Sequence, residues 1–237
     1  MKLTIFGNNG PYPAPGGACS GYLIRGDRDD STLLVDCGTG VLARLMETET
    51  LDALDAVVLT HLHYDHMSDM LPLQYALQFR PRKAPLPVYA PDAPEAVRRL
   101  LEAPCFELRC PEDFRCGSLE VGFAPARHPV PTNAVSIRED RRRFVFTGDS
   151  NTCEAVEALC LGADLLLADC GLSERDHTER SPHYSAALCG ALARKARAGR
   201  LLLTHLNPKY DPEALLSEAR SVYPEAELAR LGETYRV

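Results

Sequence analysis

The chain has no apolar run able to cross a bilayer. Its longest, such as Leu165-Leu166-Leu167-Ala168 and Leu201-Leu202-Leu203, fall far short of the roughly 20 residues that a span needs. It shows no secretory pattern either. Met1-Lys2-Leu3-Thr4-Ile5-Phe6 runs at once into a short strand, without a basic segment, an apolar segment or a small-residue cleavage site. Positive charge is not in excess: 26 Lys and Arg against 33 Asp and Glu give a net charge of −7 and a pI near 5.5. Nothing in that balance draws the protein generally to nucleic acid. The basic clusters at Arg80-Pro81-Arg82-Lys83, Arg141-Arg142-Arg143 and Arg194-Lys195-Ala196-Arg197 read as solvated turns or helix faces. The nine cysteines are odd in number and without CxxC spacing, which suits reduced core thiols in a cytosolic protein. The irregular spacing of Cys105, Cys110 and Cys116 counts against a zinc ribbon. With no linker, internal repeat or low-complexity tail, the 237 residues are expected to form one soluble, cytoplasmic domain spanning 1–237.

Short apolar strands alternate with helical stretches to the end of the chain, which makes the class α/β. Strands are expected at 2–6, 20–25, 32–36, 55–59, 87–89, 118–124, 134–139, 143–147, 164–168, 201–204 and 234–236. Helices are expected at about 39–48, 67–79, 93–102, 152–161, 184–198 and 211–222. The last carries the clearest signals: Asp211 as cap, Pro212 in the first turn, and an apolar stripe of Leu215, Leu216, Ala219 and Val222. The Gly/Pro-rich stretch 7–19 lacks periodicity and is a loop. It is either a backbone wall over a substrate pocket or a plain connection between strands.

The chemistry is concentrated at His61-Leu62-His63-Tyr64-Asp65-His66, four metal-ligand side chains within six residues directly after the strand Ala56-Val57-Val58-Leu59-Thr60. Neutral imidazoles and a carboxylate suit zinc or manganese. Alternate histidines on an extended loop can reach one ion while the next two residues reach a neighbour. Three further candidates each follow a strand, where side chains converge on one rim of an α/β sheet: His128, Asp149 in Thr147-Gly148-Asp149, and His205 in Thr204-His205. Together they supply seven ligands, the complement of two adjacent ions. With His183, six of the seven histidines find a place in this scheme, and only His177 is left over.

These residues, in this order, resemble the metallo-β-lactamase-fold hydrolases over almost the whole chain. The resemblance implies a four-layer αββα sandwich of two mixed β-sheets flanked by helices, with the site along one edge. It implies that His61, His63 and His128 hold a first divalent ion and that Asp65, His66 and His205 hold a second, with Asp149 bridging. Zinc is the expected metal, with manganese or iron as alternatives. Asp36, in Val35-Asp36-Cys37-Gly38-Thr39-Gly40, would buttress the metal-binding loop. Ser181-Pro182-His183-Tyr184-Ser185-Ala186 is similar to the ribonuclease Z-like phosphodiesterase branch. There a histidine before the helix, backed by an acidic residue, protonates the leaving group, which gives His183 and Asp169 those roles. Family members often carry glutamate at the position of Asp169.

In tRNA-processing members a long arm lies between the third histidine and the bridging aspartate. Here only 20 residues separate His128 from Asp149, and they read as a tight hairpin. The pattern is similar to the short, armless YhfI-like bacterial members. The expected activity is therefore hydrolysis of a small phosphodiester, such as a cyclic nucleotide, a dinucleotide or a short nucleic-acid end. The nucleophile would be a hydroxide shared by the two ions, oriented by Asp65 and Asp149. Structured RNA is a less favoured substrate and no membrane partner is expected; a homodimer is compatible with the family. The alternatives are a tRNA 3′-processing endoribonuclease, a thioester or lactam hydrolase on the same frame, and a non-catalytic metal-binding scaffold.

Overall fold

The computed structural model describes every residue except Glu49 and Pro81, so the centre of the Arg80–Lys83 cluster lies outside the described residues. The first half supplies β1 (Lys2–Gly7), β2 (Gly21–Arg25), β3 (Thr32–Val35), α1 (Val41–Met46), α2 (Thr50–Ala53), β4 (Ala56–Val58), α3 (Tyr64–Met67), α4 (Met70–Phe79), β5 (Leu86–Tyr89), α5 (Glu95–Arg98) and β6 (Phe106–Arg109). The second half supplies β7 (Phe114–Cys116), β8 (Leu119–Pro125), β9 (Asn133–Glu139), β10 (Arg142–Phe146), α6 (Glu154–Cys160), β11 (Leu165–Asp169), α7 (Ala186–Ala196), β12 (Leu201–Thr204), α8 (Pro212–Arg220) and β13 (Glu227–Leu228). β14 (Thr234–Arg236) then returns to the first sheet.

Two seven-stranded sheets result, ordered β14-β1-β2-β3-β4-β5-β6 and β13-β12-β11-β10-β9-β8-β7. Each is mixed: β3 through β6 and β10 through β13 run parallel, and the remaining pairings are antiparallel. Side chains alternate across a strand, so each sheet has two apolar faces to bury. Ile5, Tyr22, Leu33 and Val58 meet Val135, Ile137, Phe144 and Leu167 between the sheets. The opposite faces pack outward, Leu34 and Val57 with residues of α1 and α4, and Val145, Leu166 and Leu203 with residues of α6, α7 and α8. This is the four-layer αββα sandwich expected from the sequence. Tyr22 crosses the central layer, its ring edge-on to Phe146 at 4.8 Å and its hydroxyl 2.8 Å from Thr204 Oγ1.

Three strands went unforeseen. β6 and β7 sit at opposite sheet edges and keep exposed or half-buried positions, so the apolar alternation that marks a strand is weak there. β13 has only two residues. The short helix α2 was also missed. The helix expected over 67–79 begins only at Met70, and the stretch expected as an extended loop holds a further short helix, α3, which carries Asp65 and His66; between the two, the Asp69 N–H donates to the Cys37 carbonyl at 3.0 Å, across the turn after β3. Pro72 then occupies the first turn of α4, where its missing N–H costs nothing. Between β9 and β10 the hairpin is tighter than expected, turning on Asp140 and Arg141 alone. All nine cysteines are free thiols, as expected.

Candidate metal centre

The parallel strands end on one rim, and that rim carries the polar residues. Asp36 follows β3, the run from His61 follows β4, Asp149 follows β10, Asp169 ends β11 and His205 follows β12. Asp36, Gly148 and His205 have left-handed φ values of 59°, 59° and 53°, which turn the chain sharply at those strand ends. A cross-sheet hydrogen bond from the Asn133 N–H to the Thr60 carbonyl, 3.0 Å, pins the start of the histidine run.

All seven sequence-selected ligands come together in two groups that share Asp149. One is His61, His63, His128 and Asp149; the other is Asp65, His66, Asp149 and His205. Within each group the ligand atoms lie within 4.8 Å of one another. His63 Nδ1 is 2.9 Å from His61 Nε2 and 3.1 Å from His128 Nε2. In the second group, His66 Nε2 is 3.3 Å from Asp149 Oδ1, and His205 Nε2 is 3.1 Å from Asp65 Oδ2 and 3.3 Å from Asp149 Oδ2.

The hydrogen bonds behind these atoms decide what they can bind. Asp36 Oδ2 can only accept, so His66 donates from Nδ1 at 2.8 Å. His66 Nε2, left with its lone pair in a neutral ring, then faces a carboxylate. It and Asp149 Oδ1 are buried atoms without a hydrogen-bond partner. Likewise His128 Nδ1 donates to the Pro182 carbonyl at 3.0 Å, which turns the lone pair of Nε2 toward His63 and Asp149. Buried lone pairs aimed at one another and at a carboxylate are costly unless a cation sits among them, so the donor set fits metal ions.

A proton competes with a cation for these atoms. Burial works against charge on His66 and His205, yet the carboxylates around them, Asp149 foremost, raise both well above the usual imidazole range. Asp149 is held well below the usual carboxylate range; burial opposes this, and His205, His66 and His61 outweigh it. His61 is pushed well down by burial and by its neighbouring histidines.

Asp36 takes the buttressing position expected of it. It is fully buried and accepts from the Thr60 N–H at 2.8 Å, from Thr60 Oγ1 and from His66. His183 and Asp169 also meet: Nδ1 lies 2.8 Å from Asp169 Oδ2. The aspartate reaches despite its shorter side chain because the segment before α7 folds closely over β11. A Cβ on Gly171 would fall 2.8 Å from the His183 ring. Asp169 also accepts from the Ser150 and Gly171 N–H groups, both at 3.0 Å, and its Oδ1 is 3.4 Å from His205 Nδ1. Burial opposes ionisation of Asp169, but His183 holds it below the usual range; His183 in turn is raised by Asp169 against its own burial.

Sequence reasoning missed the glycines that form the back of the site. Gly38 lies so close to the metal loop that a Cβ would fall 1.9 Å from the Asp65 carbonyl oxygen. In the 7–19 loop, a Cβ on Gly10 would fall 1.9 Å from His205 Nε2, and Pro11 lines the cleft. This part of the loop is therefore a wall of the site. Gly10→Ala is expected to displace the His205 ring and cut the metal bound per chain by about half, with the circular dichroism spectrum unchanged. Elemental analysis of the purified variant checks it.

The beta-lactamase superfamily domain matches residues 31–206. The chain is 33% identical to the probable metallo-hydrolase YhfI of Bacillus subtilis (strain 168), covering 98% of each chain. It is 29% identical to a ribonuclease Z of Mycobacterium bovis, covering 90% of this chain and 88% of the relative. The crystal structure of B. subtilis YhfI superposes with a TM-score of 0.91 at 32% identity, over 99% of both chains. Human short-form tRNase Z shares the fold, with a TM-score of 0.81 at 22% identity over 100% of this chain and 99% of the other. With its two His/Asp groups built on this frame, the chain belongs to the beta-lactamase superfamily, near YhfI and the ribonuclease Z-like proteins, and is a metal-dependent hydrolase of the metallo-β-lactamase fold.

Proposed function

We propose that the protein is a phosphodiesterase for small diesters, with two divalent ions, zinc first among them, held by the seven ligands. His61, His63 and His128 would hold one ion, Asp65, His66 and His205 the other, and Asp149 both. Bound there, such ions supply Lewis acidity, which acidifies water and offsets charge on the phosphoryl oxygens. The rest is done by the chain itself. Asp65 and Asp149 orient the attacking water. His183 Nδ1 donates to Asp169, which leaves Nε2 to give a proton to the departing alkoxide.

The observation that carries this reading is the 2.8 Å contact between His183 and Asp169, beside the ligand groups: His183 Nδ1 is 3.8 Å from Asp149 Oδ2, and its ring stacks on that of His205 at 4.8 Å. A proton donor suits diester cleavage, where an alkoxide must leave. The cleft, about 370 Å³, is walled by Pro11, Tyr64, Pro129 and Pro182 and suits one diester unit better than a folded RNA. The two-residue turn between β9 and β10 leaves no room for an arm there. The ribonuclease Z relatives favour a second reading, cleavage at a short RNA 3′ end. Assays of metal-loaded protein against dinucleoside monophosphates, cyclic nucleotides and precursor tRNA test both. Turnover of the small diesters supports the first reading, and turnover of precursor tRNA alone would replace it with the second.

We read residues 1–237 as one domain. The free thiols fit a reducing, cytoplasmic setting, and no helix among the described residues is long and apolar enough to cross a membrane. Homodimer formation is supported by α4, where Leu71, Tyr75 and Phe79 form an i, i+4, i+8 stripe that is 36%, 65% and 85% exposed. Phe79→Asp is expected to yield a monomer by sedimentation, and an unchanged mass would place the interface elsewhere.

A further inference from the structure

His177, the histidine with no place among the ligands, marks a clamp. Within the connection from β11 to α7, 170–185, the stretch 174–183 holds only a short 3-10 turn at Glu174–Asp176, and His183 stands at its far end. Such a segment has no ladder of its own, so side chains must hold its backbone groups. Asn151 does most of this. It is fully buried, two residues after Asp149, and its Nδ2 lies 2.8 Å from the Ser181 carbonyl, 3.2 Å from that of Thr178 and 3.4 Å from that of Glu179. Its Oδ1 accepts from the Thr152 N–H at 2.7 Å and from His177 Nε2 at 3.1 Å. The reversed amide would set its oxygen against three carbonyls, so the orientation is fixed. Arg127 adds a bond to the Glu179 carbonyl at 2.6 Å, and the ligand His128 adds one to the carbonyl of Pro182, the residue before His183.

We propose that Asn151, with His177, is a positioning residue for proton donation: it sets the register of the 174–183 segment and so aims His183 into the cleft. The proposal rests on the reading of His183 as proton donor. It acts through His183 and not through metal binding, since neither Asn151 nor His177 belongs to a ligand group. Misplacement of a reacting group by about 1 Å costs on the order of 10²-fold in rate, so a loosened segment has a measurable effect.

The test compares metal-loaded Asn151→Ala, Asn151→Asp and His177→Ala on two substrates. Bis-p-nitrophenyl phosphate releases p-nitrophenolate, which needs no proton; a dinucleoside monophosphate releases an alkoxide, which does. The Asn151 variants are expected to lose about 10- to 100-fold in kcat on the dinucleoside monophosphate and less than about 3-fold on the activated diester. His177→Ala should show the same pattern more weakly, with metal content unchanged in all three. Combined with His183→Ala, Asn151→Ala should cause no further loss. Trypsin should cut faster after the exposed Arg180. Equal losses on both substrates, loss of metal, or an additive loss beside His183→Ala would overturn the proposal. If Asn151→Ala does not fold, Asn151→Asp and His177→Ala carry the same comparison. His183→Ala alone tests the underlying reading: if it treats the two substrates alike, that reading fails. If it separates them while the Asn151 and His177 variants do not, only the clamp fails.

Discussion

Asp149→Ala is expected to lose metal and activity together: bound ions fall from about two to one or fewer per chain, and kcat/KM falls by about 10³-fold or more, roughly 4 kcal/mol of transition-state stabilisation. The size of the effect follows from its position. Its carboxylate lies 3.3 Å from both His66 and His205, 3.7 Å from His61 and 4.0 Å from His128, so every candidate ligand histidine but His63 approaches it closely. Those histidines hold it ionised against its burial, which keeps a negative charge where two cations would share it. Asp149→Asn keeps the volume and removes the charge, and should fall in the same direction. The three apolar layers do not include Asp149, so folding is expected to survive either change. Elemental analysis decides the point, and full retention of both ions would rule out a shared ligand.

His183→Ala should part the two properties that Asp149→Ala removes together. Bound metal should be unchanged, while turnover of a diester with an alkoxide leaving group drops by about 10²- to 10⁴-fold, the usual scale of general acid catalysis. The His183 ring is only partly exposed, and Asp169 raises its affinity for a proton against the cost of burial, as an acid at neutral pH requires. Asp169→Asn should reproduce part of the loss, because an amide can still orient the ring but no longer supports its charge. Turnover unchanged in His183→Ala would remove this residue from the mechanism.

The candidate ligands were legible in the sequence because His61, His128, Asp149 and His205 each follow a strand that its own apolar run announces, and His63, Asp65 and His66 belong to the run that begins at His61. The continuous apolar runs of β4, β10 and β12 mark where those strands end, and parallel strands end on the same rim. The pairing of Asp169 with His183 followed from the resemblance; its 2.8 Å length depended on how closely Gly171 lets the segment approach, which no pattern in the chain records. Gly10 was hidden for a similar reason. It sits in a loop without periodicity, and its partner, His205, is far away in sequence. Asn151 is harder still to see. Its contacts with Thr178, Glu179 and Ser181 span 27 to 30 residues and involve backbone carbonyls, which carry no sequence identity. β6 and β7 escaped because edge strands bury fewer side chains and so lose the alternation that reveals them.

A two-group site matched to phosphodiesters should discriminate against thioesters, which the same frame can serve. The direct measurement is the ratio of kcat/KM for bis-p-nitrophenyl phosphate to that for an activated thioester, taken on one metal-loaded sample. A ratio of about 10² or more in favour of the diester is expected if the cleft and its ligands are matched to a phosphoryl transition state. A ratio below one, with the thioester turned over and the diester left intact, would contradict the assignment.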